Sequence, residues 1–290
     1  MSQLTAICPL LYKDLARFRI LMRSLDQFFD PASLQVLTVI VPDDEYDGIK
    51  KALDGASRRH RILVLPEADL DLQTRLEKGW FRQQLIKLKM ATKVESPFFL
   101  VLDADVICCK PVSYTQLIPN GRALLTRSRK TVQPDWWKWS AELLRTPPKI
   151  WTYDLNIWKL KIRTPGPGMG VTPAILSTTH TLELIDCLQT LWHRPLGELL
   201  NDHRFTEYTL YYLFLEMNGL VDRVHQTDLP VRCSGKGTNV YNVNDVENWN
   251  VDRLFTDMSQ PGFFTVFQSN AAISPEIVWE KIRPYLGNQA

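Results

Sequence analysis

Residues 98–111 read FFLVLDADVICCKP, an apolar run that leads directly into two aspartates. The five apolar residues at 98–102 are typical of a strand buried on both faces, as the central strands of a parallel sheet are. Asp103 and Asp105 follow this strand, and side chains two residues apart at a strand end point the same way. Ligands of open α/β sheets bind beyond the carboxyl ends of the strands. The segment therefore predicts a buried parallel strand with an acidic pair at a ligand-binding edge.

The segments before this strand alternate between strand-like and helix-like patterns. In chain order, the sequence predicts a strand at 4–11, a helix at 14–29, a strand at 34–41, a polar helix ending near residue 56, a strand at 61–65 and a helix at 81–94. Because strands that alternate with helices form βαβ units, this order predicts a doubly wound α/β fold.

The second half of the chain is less regular. Its patterns predict short strands at 123–126 and 263–267 and helices at 173–192, 206–218 and 275–286. No linker-like stretch separates these segments from the first half, so we expect residues 1–290 to form a single domain.

The composition excludes several classes of protein. The 290 residues carry 34 Lys and Arg against 32 Asp and Glu, and the resulting net charge of +2 argues against a general nucleic-acid binder. Apolar residues make up 45% of the chain, enough to bury a large core. No apolar run approaches the roughly 20 residues that cross a bilayer, and residues 1–12 lack the basic start of a signal peptide. These features predict a cytoplasmic protein.

The five cysteines fit the same expectation. They belong to no C-x-x-C pair, so their spacing does not suit a zinc site. We expect reduced and mostly buried thiols at Cys8, Cys108, Cys109, Cys187 and Cys233.

The acidic pair has two interpretations. Both carboxylates could reach one hard divalent cation, directly or through water, and such a cation keeps open positions for substrate phosphates. Alternatively, the pair is a solvated turn at the end of a strand, since Asp is common in turns. The apolar strand before the pair and Lys110-Pro111 after it favour the functional interpretation.

Several motifs resemble those of known enzymes. Residues 98–111 look like the D-x-D segment of GT-A fold glycosyltransferases. Residues 79–88, GWFRQQLIKL, resemble the G-W-[FY]-x-Q-Q-x-x-K-L segment of a bacterial GT-A-like family whose substrates are poorly defined. Shorter signatures of that family resemble YKD at 12–14, FTEY at 205–208 and QSN at 268–270, so the resemblance spans residues 4–270.

The resemblance implies a GT-A-like (Rossmann-like) fold with a mixed, mostly parallel central sheet flanked by helices. Residues 1–111 would form the half that binds a nucleotide sugar. Residues 112–290 would form the half that binds the acceptor and closes the fold.

The resemblance also implies a metal site. In GT-A enzymes the D-x-D motif holds Mn²⁺ or Mg²⁺ on the pyrophosphate of the donor. Asp105 would be the main ligand, and Asp103 would touch the metal or the ribose. The third ligand is most often a histidine near the C-terminus, but the last histidine here is His225. Gln268 or Asn270 would replace it as a neutral oxygen ligand.

Further residues would hold the donor. A Lys or Arg at the place of Lys87 contacts the sugar or phosphates in related enzymes, and a solvated helix charge is the alternative. Gln83, Gln84 and Lys87 lie within about one helical turn, so two or three of them can share a face.

The nucleoside part of the donor would lie along the ends of the first two strands. Tyr12 and Asp14 follow the first strand, where GT-A folds hold the nucleotide base. Asp43 and Asp44 follow the second strand and could bind ribose hydroxyls, or they could simply form a turn.

Glu207 is the candidate catalytic base, since an inverting transferase needs a carboxylate to deprotonate the acceptor hydroxyl. A retaining enzyme would use it to bind the acceptor instead, and a Glu at this position could also simply stabilise a helix N-terminus. His203 could bind acceptor or phosphate, although we favour its interpretation as a surface or core histidine. The glycine-rich loop at 166–170 is interpreted as a close approach of the backbone to substrate.

The small net charge conceals a basic segment. Residues 120–165 hold ten Lys and Arg and three Asp and Glu, a local charge of +7 that leaves −5 for the rest of the chain. The segment also holds five of the nine tryptophans, at positions 136, 137, 139, 151 and 158. Such a mixture can stack on sugars, bind an anionic acceptor or rest on a lipid surface, or it can combine core anchors with a solvated basic face. We favour an acceptor site for an anionic or lipid-linked glycan, with peripheral membrane contact through 120–165.

Together these features predict a metal-dependent glycosyltransferase. It would use a nucleotide-diphosphate sugar, most simply a UDP-sugar, and a glycan or lipid-linked acceptor in bacterial surface polysaccharide or lipopolysaccharide synthesis, at the inner face of the membrane and without nucleic acid. One alternative is a nucleotidyltransferase or phosphohydrolase that uses the same aspartates and cation. The other is a non-catalytic glycan-binding protein.

Overall fold

The computed structural model describes residues 3–157, 160–271 and 273–287, without the side chains of residues 152–163. The elements of the first half are β1 (Leu4–Pro9), α1 (Leu15–Phe28), β2 (Leu34–Val41), α2 (Tyr46–Leu53), β3 (Ile62–Pro66), α3 (Trp80–Lys89), β4 (Phe98–Val101) and β5 (Val106–Cys108).

The second half has shorter strands and more helices. Its elements are α4 (Tyr114–Leu117), β6 (Ala123–Leu124), β7 (Arg127–Arg129), α5 (Pro134–Leu143), β8 (Trp151–Ile157), β9 (Leu160–Pro165), β10 (Pro167–Met169), β11 (Ala174–Ser177), α6 (Thr178–Trp192), α7 (Leu196–Asp202), α8 (Glu207–Met217), α9 (Val221–Val224), β12 (His225–Gln226), α10 (Asp245–Asn248), α11 (Val251–Thr256), β13 (Phe264–Val266) and α12 (Pro275–Ile282).

A five-stranded sheet in the order β11-β4-β1-β2-β3 forms the centre of the fold. The strands β1 to β4 run parallel to one another, and β11 pairs antiparallel with β4. The predicted mixed, mostly parallel sheet flanked by helices is therefore confirmed.

The apolar run of β4 supplies both faces of the sheet. Phe99 and Val101 pack into one core with residues of α3 and α8. Leu100 and Leu102 pack into a second core, on the side of α1. Because successive side chains of a strand point to opposite faces, an uninterrupted apolar run is what a strand with helices on both sides requires.

The helix predicted at 173–192 is wrong at its start. Residues Ala174–Ser177 form β11, and the helix begins only at Thr178, where Ser177 acts as the N-cap. A short apolar run fits a strand and a helix equally well. The partner strand β4, which lies some seventy residues earlier in the chain, decides between the two.

A two-stranded pairing next to the sheet brings the C-terminal region to the acidic pair. β13 pairs antiparallel with β5, with Val266 opposite Val106. The backbone N–H of Phe267 then donates to the carbonyl of Asp105 at 2.9 Å. The residues that follow β13 are thereby held beside the aspartates.

Within the described ranges, no helix is both long and apolar enough to cross a membrane.

The cysteines allow a simple check of the packing. All five are free thiols, and four of them are buried, whereas Cys187 lies exposed on α6. We expect a thiol reagent such as DTNB to modify one thiol of the native protein rapidly and all five after denaturation. The Cys187→Ser variant should show no fast reaction. Rapid modification of a second thiol in the native protein would contradict this packing.

Candidate functional site

A cavity opens at the carboxyl end of β4. It gathers polar side chains from separate parts of the chain, namely Gln84, Lys87, Asp103, Asp105, Glu207 and Gln268. The first two come from α3, the aspartates follow β4, Glu207 begins α8, and Gln268 follows β13.

Lys87 is a buried cation between two carboxylates. Its side chain is 3% exposed, and its Nζ lies 2.8 Å from Oδ1 of Asp103 and 3.0 Å from Oε1 of Glu207. Burial alone would lower the pKa of Lys87, but the charges of Asp103 and Glu207 outweigh it and raise that pKa well above its usual value. Lys87 therefore stays charged and holds the two carboxylates together.

The two glutamines of the predicted donor-binding helix differ in their position relative to the cavity. Gln84 is buried and lines the cavity beside Lys87, whereas the side chain of Gln83 is not part of the cavity lining. Of the three residues predicted to share a helix face, Gln84 and Lys87 therefore face the cavity together, and Gln83 does not line it.

Glu207 is the first residue of α8 and is almost completely buried, with 1% of its side chain exposed. The Lys87 ammonium lies 3.0 Å from Oε1 of this carboxylate, whereas Oε2 has no side-chain partner among the described residues. Burial raises the pKa of Glu207, and the Lys87 ammonium opposes this. A buried carboxylate oxygen without a donor is costly unless another group supplies one, so Oε2 is available to a donor that enters the cavity.

Asp105 is held by the segment that follows β13. Its Oδ2 accepts a hydrogen bond from the backbone N–H of Ser269 at 2.8 Å. Burial, and after it the charge of Asp103, raise the pKa of Asp105 to about 7, against the bond from Ser269. The aspartate pair therefore lacks enough positive charge in the protein alone.

A divalent cation would fit this deficit. Two carboxylates and the amide oxygen of Gln268 are the hard oxygen donors that Mn²⁺ and Mg²⁺ prefer. No cluster of three or more His, Cys, Asp and Glu side chains suited to a metal occurs in the described part of the chain. Of the two predicted third ligands, Gln268 lines the cavity and Asn270 is exposed outside it.

The residues predicted to hold the base and ribose lie outside the cavity but at the same edge of the sheet, since β1, β2 and β4 are parallel. Tyr12 is 56% exposed, and Asp14 lies 3.7 Å from Arg17. Asp43 accepts from the N–H of Ala68, and Asp44 pairs with Lys78. Their roles in donor binding stay predictions.

Two other predicted contacts with substrate are not at the cavity. The ring of His203 packs 4.7 Å from that of Trp192. The glycines at 166–170 approach protein closely, because a Cβ on Gly168 would lie 2.5 Å from the ring of Trp137. An approach of this loop to substrate stays a prediction, and the residues directly after it, Val171 and Thr172, line the cavity.

Most described cations of the basic segment 120–165 are exposed, and Lys130 is the buried exception among them. Lys130 is fully buried, and its Nζ lies 2.6 Å from Glu216 and 5.0 Å from the ring centroid of Trp137. Trp137 is a core residue, whereas Trp136 lines the cavity. Trp158 and Lys159, together with the side chains of Lys161 and Arg163, lie outside the described residues.

Three aromatic residues of the cavity were not singled out from the sequence. Trp80, Tyr208 and Tyr241 line it together with the polar residues. Trp80 lies within segment 79–88, close in sequence to Gln83 and Gln84. This proximity to the predicted donor-binding residues is the signal in the sequence that could have identified it.

Comparison with solved structures assigns the fold. Mouse xyloside xylosyltransferase 1 in its apo form is 13% identical with a TM-score of 0.50, and the match covers 94% of this chain and 100% of that chain. The apo structure of WbbM, a bifunctional glycosyltransferase, is 13% identical with a TM-score of 0.52, and the match covers 97% of this chain and 50% of that one. The predicted GT-A-like fold is confirmed.

The sequence itself identifies a family. A family model described as "Family of unknown function (DUF6492)" matches residues 1–290, so the chain belongs to that family. No curated protein matches the chain in sequence.

Proposed function

We propose that the protein is a glycosyltransferase that moves a sugar from a nucleotide-diphosphate sugar, most simply a UDP-sugar, to a glycan or lipid-linked acceptor. The observation that carries the proposal is the cavity that joins the aspartate pair and Gln268 to the Lys87–Glu207 ion pair. It lies at the carboxyl edge of the sheet in a fold shared with known glycosyltransferases. Residues 1–111 would bind the donor, and 112–290 would bind the acceptor.

A divalent cation belongs to this proposal. Asp105, the remaining oxygen of Asp103 and Gln268 would hold Mn²⁺ or Mg²⁺, which when bound neutralises the charge that develops on a diphosphate leaving group. Asp103 has one oxygen engaged by Lys87. We therefore assign Asp105 the larger share of the binding.

Glu207 would act as the base. As the acceptor oxygen forms a bond to the anomeric carbon and the bond to the diphosphate breaks, the hydroxyl proton passes to a carboxylate oxygen of Glu207. Its Oε2 has no side-chain partner among the described residues, so this oxygen is available for that hydroxyl. Lys87 holds the carboxylate in place, and burial increases its affinity for the proton.

The cellular role is proposed from the resemblance of the motifs alone. We place the enzyme in bacterial surface polysaccharide or lipopolysaccharide synthesis, at the inner face of the membrane. Flotation with anionic liposomes at low salt tests the membrane contact, and a protein that stays at the bottom of the gradient contradicts it.

A donor screen tests the function. The purified protein is incubated with nucleotide-diphosphate sugars, Mn²⁺ or Mg²⁺ and mixed glycan acceptors, and the products are identified by mass spectrometry. Free UDP together with a sugar added to an acceptor supports the proposal. Sugar phosphate or pyrophosphate would identify the nucleotidyltransferase or phosphohydrolase alternative. Absence of metal-dependent nucleotide binding in calorimetry would favour a non-catalytic glycan-binding protein.

A further inference from the structure

Two tryptophans from distant parts of the chain meet in the wall of the cavity. Trp80 begins α3, and Trp136 lies in the first turn of α5. Their ring centroids are 5.5 Å apart with an angle of 38° between the planes, and both rings line the cavity. The Trp80 side chain remains 44% exposed, although it is large and apolar.

The pair lies at the cavity end of an aromatic cluster, in which the Phe81 ring centroid is 4.8 Å from that of Trp80 and 6.2 Å from that of the buried Phe205. On α5 the buried anchor is Trp137, which packs edge-on against Tyr212, while Trp139 contacts Phe81. Trp136 and Trp80 therefore complete this cluster on one side and present aromatic surface to the cavity on the other. Surface of this kind at a cavity marks a place where a ligand is bound.

Hydrogen bonds tie both tryptophans to the first turn of the helix that carries the proposed base. Gln84 donates to the backbone carbonyl of Trp80 at 3.2 Å and accepts from the backbone N–H of Glu207 at 3.3 Å. Thr209 donates to the backbone carbonyl of Trp136 at 3.3 Å. The positions of the two rings are thus linked to that of the Glu207 carboxylate.

The charges around the cavity select the kind of molecule that fits against the rings. Three carboxylates line it, and Lys87 is the single cation among its described lining residues. Lys87 is already shared between Asp103 and Glu207. Arg232 is a further cation nearby, where it contacts Thr172 and Tyr241, but it does not itself line the cavity. A neutral ring with an apolar face and hydroxyl groups is compatible with both the aromatic surface and the acidic surroundings.

We propose that Trp80 and Trp136 form the acceptor subsite, on which the apolar face of a neutral pyranose ring stacks while one of its hydroxyl groups reaches Glu207. This inference rests on the proposed function. It deepens that function by assigning the acceptor end of the cavity to a neutral sugar, and it gives the basic segment 120–165 a role through Trp136 instead of its cations.

Saturation-transfer NMR tests the subsite with defined probes. The probes are the methyl β-pyranosides of glucose, galactose and N-acetylglucosamine, methyl α-mannopyranoside and, as the charged comparison, the methyl glycoside of glucuronic acid. With UDP and the diamagnetic Mg²⁺ present, the wild-type protein should transfer more saturation to at least one neutral pyranoside than to the glucuronide. The Trp136→Ala and Trp80→Ala variants should weaken that binding by about tenfold or more, and Trp136→Phe should retain most of it.

The control is Trp279→Ala on α12, whose ring lies 4.9 Å from the guanidinium of Arg23 and outside the cavity. This variant should bind the sugar as the wild type does. Absence of any neutral pyranoside signal in the wild type, stronger binding of the glucuronide, or unchanged binding in both cavity variants would each overturn the inference.

Calorimetry of UDP with Mn²⁺ on the same samples separates the two proposals. Unchanged UDP binding in the tryptophan variants with loss of sugar binding supports the subsite. Loss of both ligands in the two cavity variants, with unfolding excluded by circular dichroism, contradicts an acceptor-specific role. Failure of the wild type itself to bind UDP with Mn²⁺ counts against the proposed function, whatever the sugars do.

Discussion

Asp105→Asn is expected to abolish metal-dependent binding of UDP while leaving the fold intact. The substitution keeps the shape and the acceptor for the N–H of Ser269 but removes the charge that a divalent cation requires. In calorimetry, wild-type protein should bind UDP more tightly with Mn²⁺ than with EDTA, and the variant should show no such difference. Asp186→Asn, an exposed aspartate on α6, is the matched control and should behave as the wild type. Metal-dependent binding that survives in the variant would remove Asp105 from the site.

The same variant should be more stable than the wild type when metal is absent. The pKa of Asp105 is about 7 in the folded protein, against an ordinary value of 3.8, because of burial and the nearby charge of Asp103. The unfolded chain therefore releases this proton at lower pH than the folded one, and the free energy of unfolding falls as pH rises from about 4 to 7. Above pH 7 Asp105 is ionised in the folded protein, and its full destabilising effect is present. Asparagine has no charge and does not cause this destabilisation.

Thermal unfolding in EDTA measures this effect. At pH 8 the melting temperature of Asp105→Asn should exceed that of the wild type by about 2–6 °C, and the difference should shrink toward pH 4. Addition of Mn²⁺ should raise the melting temperature of the wild type alone. A pH-independent difference between the two proteins would contradict the partial desolvation of Asp105 beside the charge of Asp103.

The elements that local pattern determines were predictable. The strands β1, β2 and β4 are apolar on both faces, so their burial does not depend on which helices cover them. The position of the aspartate pair was predictable for a related reason. The residues that directly follow a central parallel strand lie at the carboxyl edge of the sheet, where ligands bind. The start of α6 was not predictable, because residues 174–177 suit a helix or a strand until β4 is present.

The contacts that make the cavity depend on the tertiary fold. Lys87 and Glu207 are separated by 120 positions in the sequence, and their 3.0 Å ion pair follows from the packing of α3 beside α8. The hydrophobic periodicity of the sequence does not reveal which distant residues come into contact. The same holds for the glycines at 166–170, whose pattern indicates a close approach but does not say that the neighbour is Trp137.

Glu207→Gln should retain donor binding and lose transfer. Glutamine keeps the size of the side chain but cannot accept a proton from the acceptor hydroxyl, and removal of a general base typically lowers the rate by about 10²- to 10⁴-fold. Lys87 keeps Asp103 as a partner in the variant, so the metal side of the cavity is preserved. The rate is measured as UDP release with the donor and acceptor that the screen identifies, and UDP affinity is measured by calorimetry.

Glu216→Gln is the control for this substitution. Glu216 lies on the same helix and pairs with the buried Lys130 at 2.6 Å, yet it does not line the cavity. Both variants remove a carboxylate from α8 that is paired with a buried lysine, so a general weakening of the helix would slow both. A loss of turnover in Glu207→Gln alone, with UDP affinity unchanged, assigns the proton transfer to this residue. Wild-type turnover excludes it as the base, and a raised acceptor KM with unchanged kcat would instead make Glu207 a binding group, as a retaining enzyme would use it.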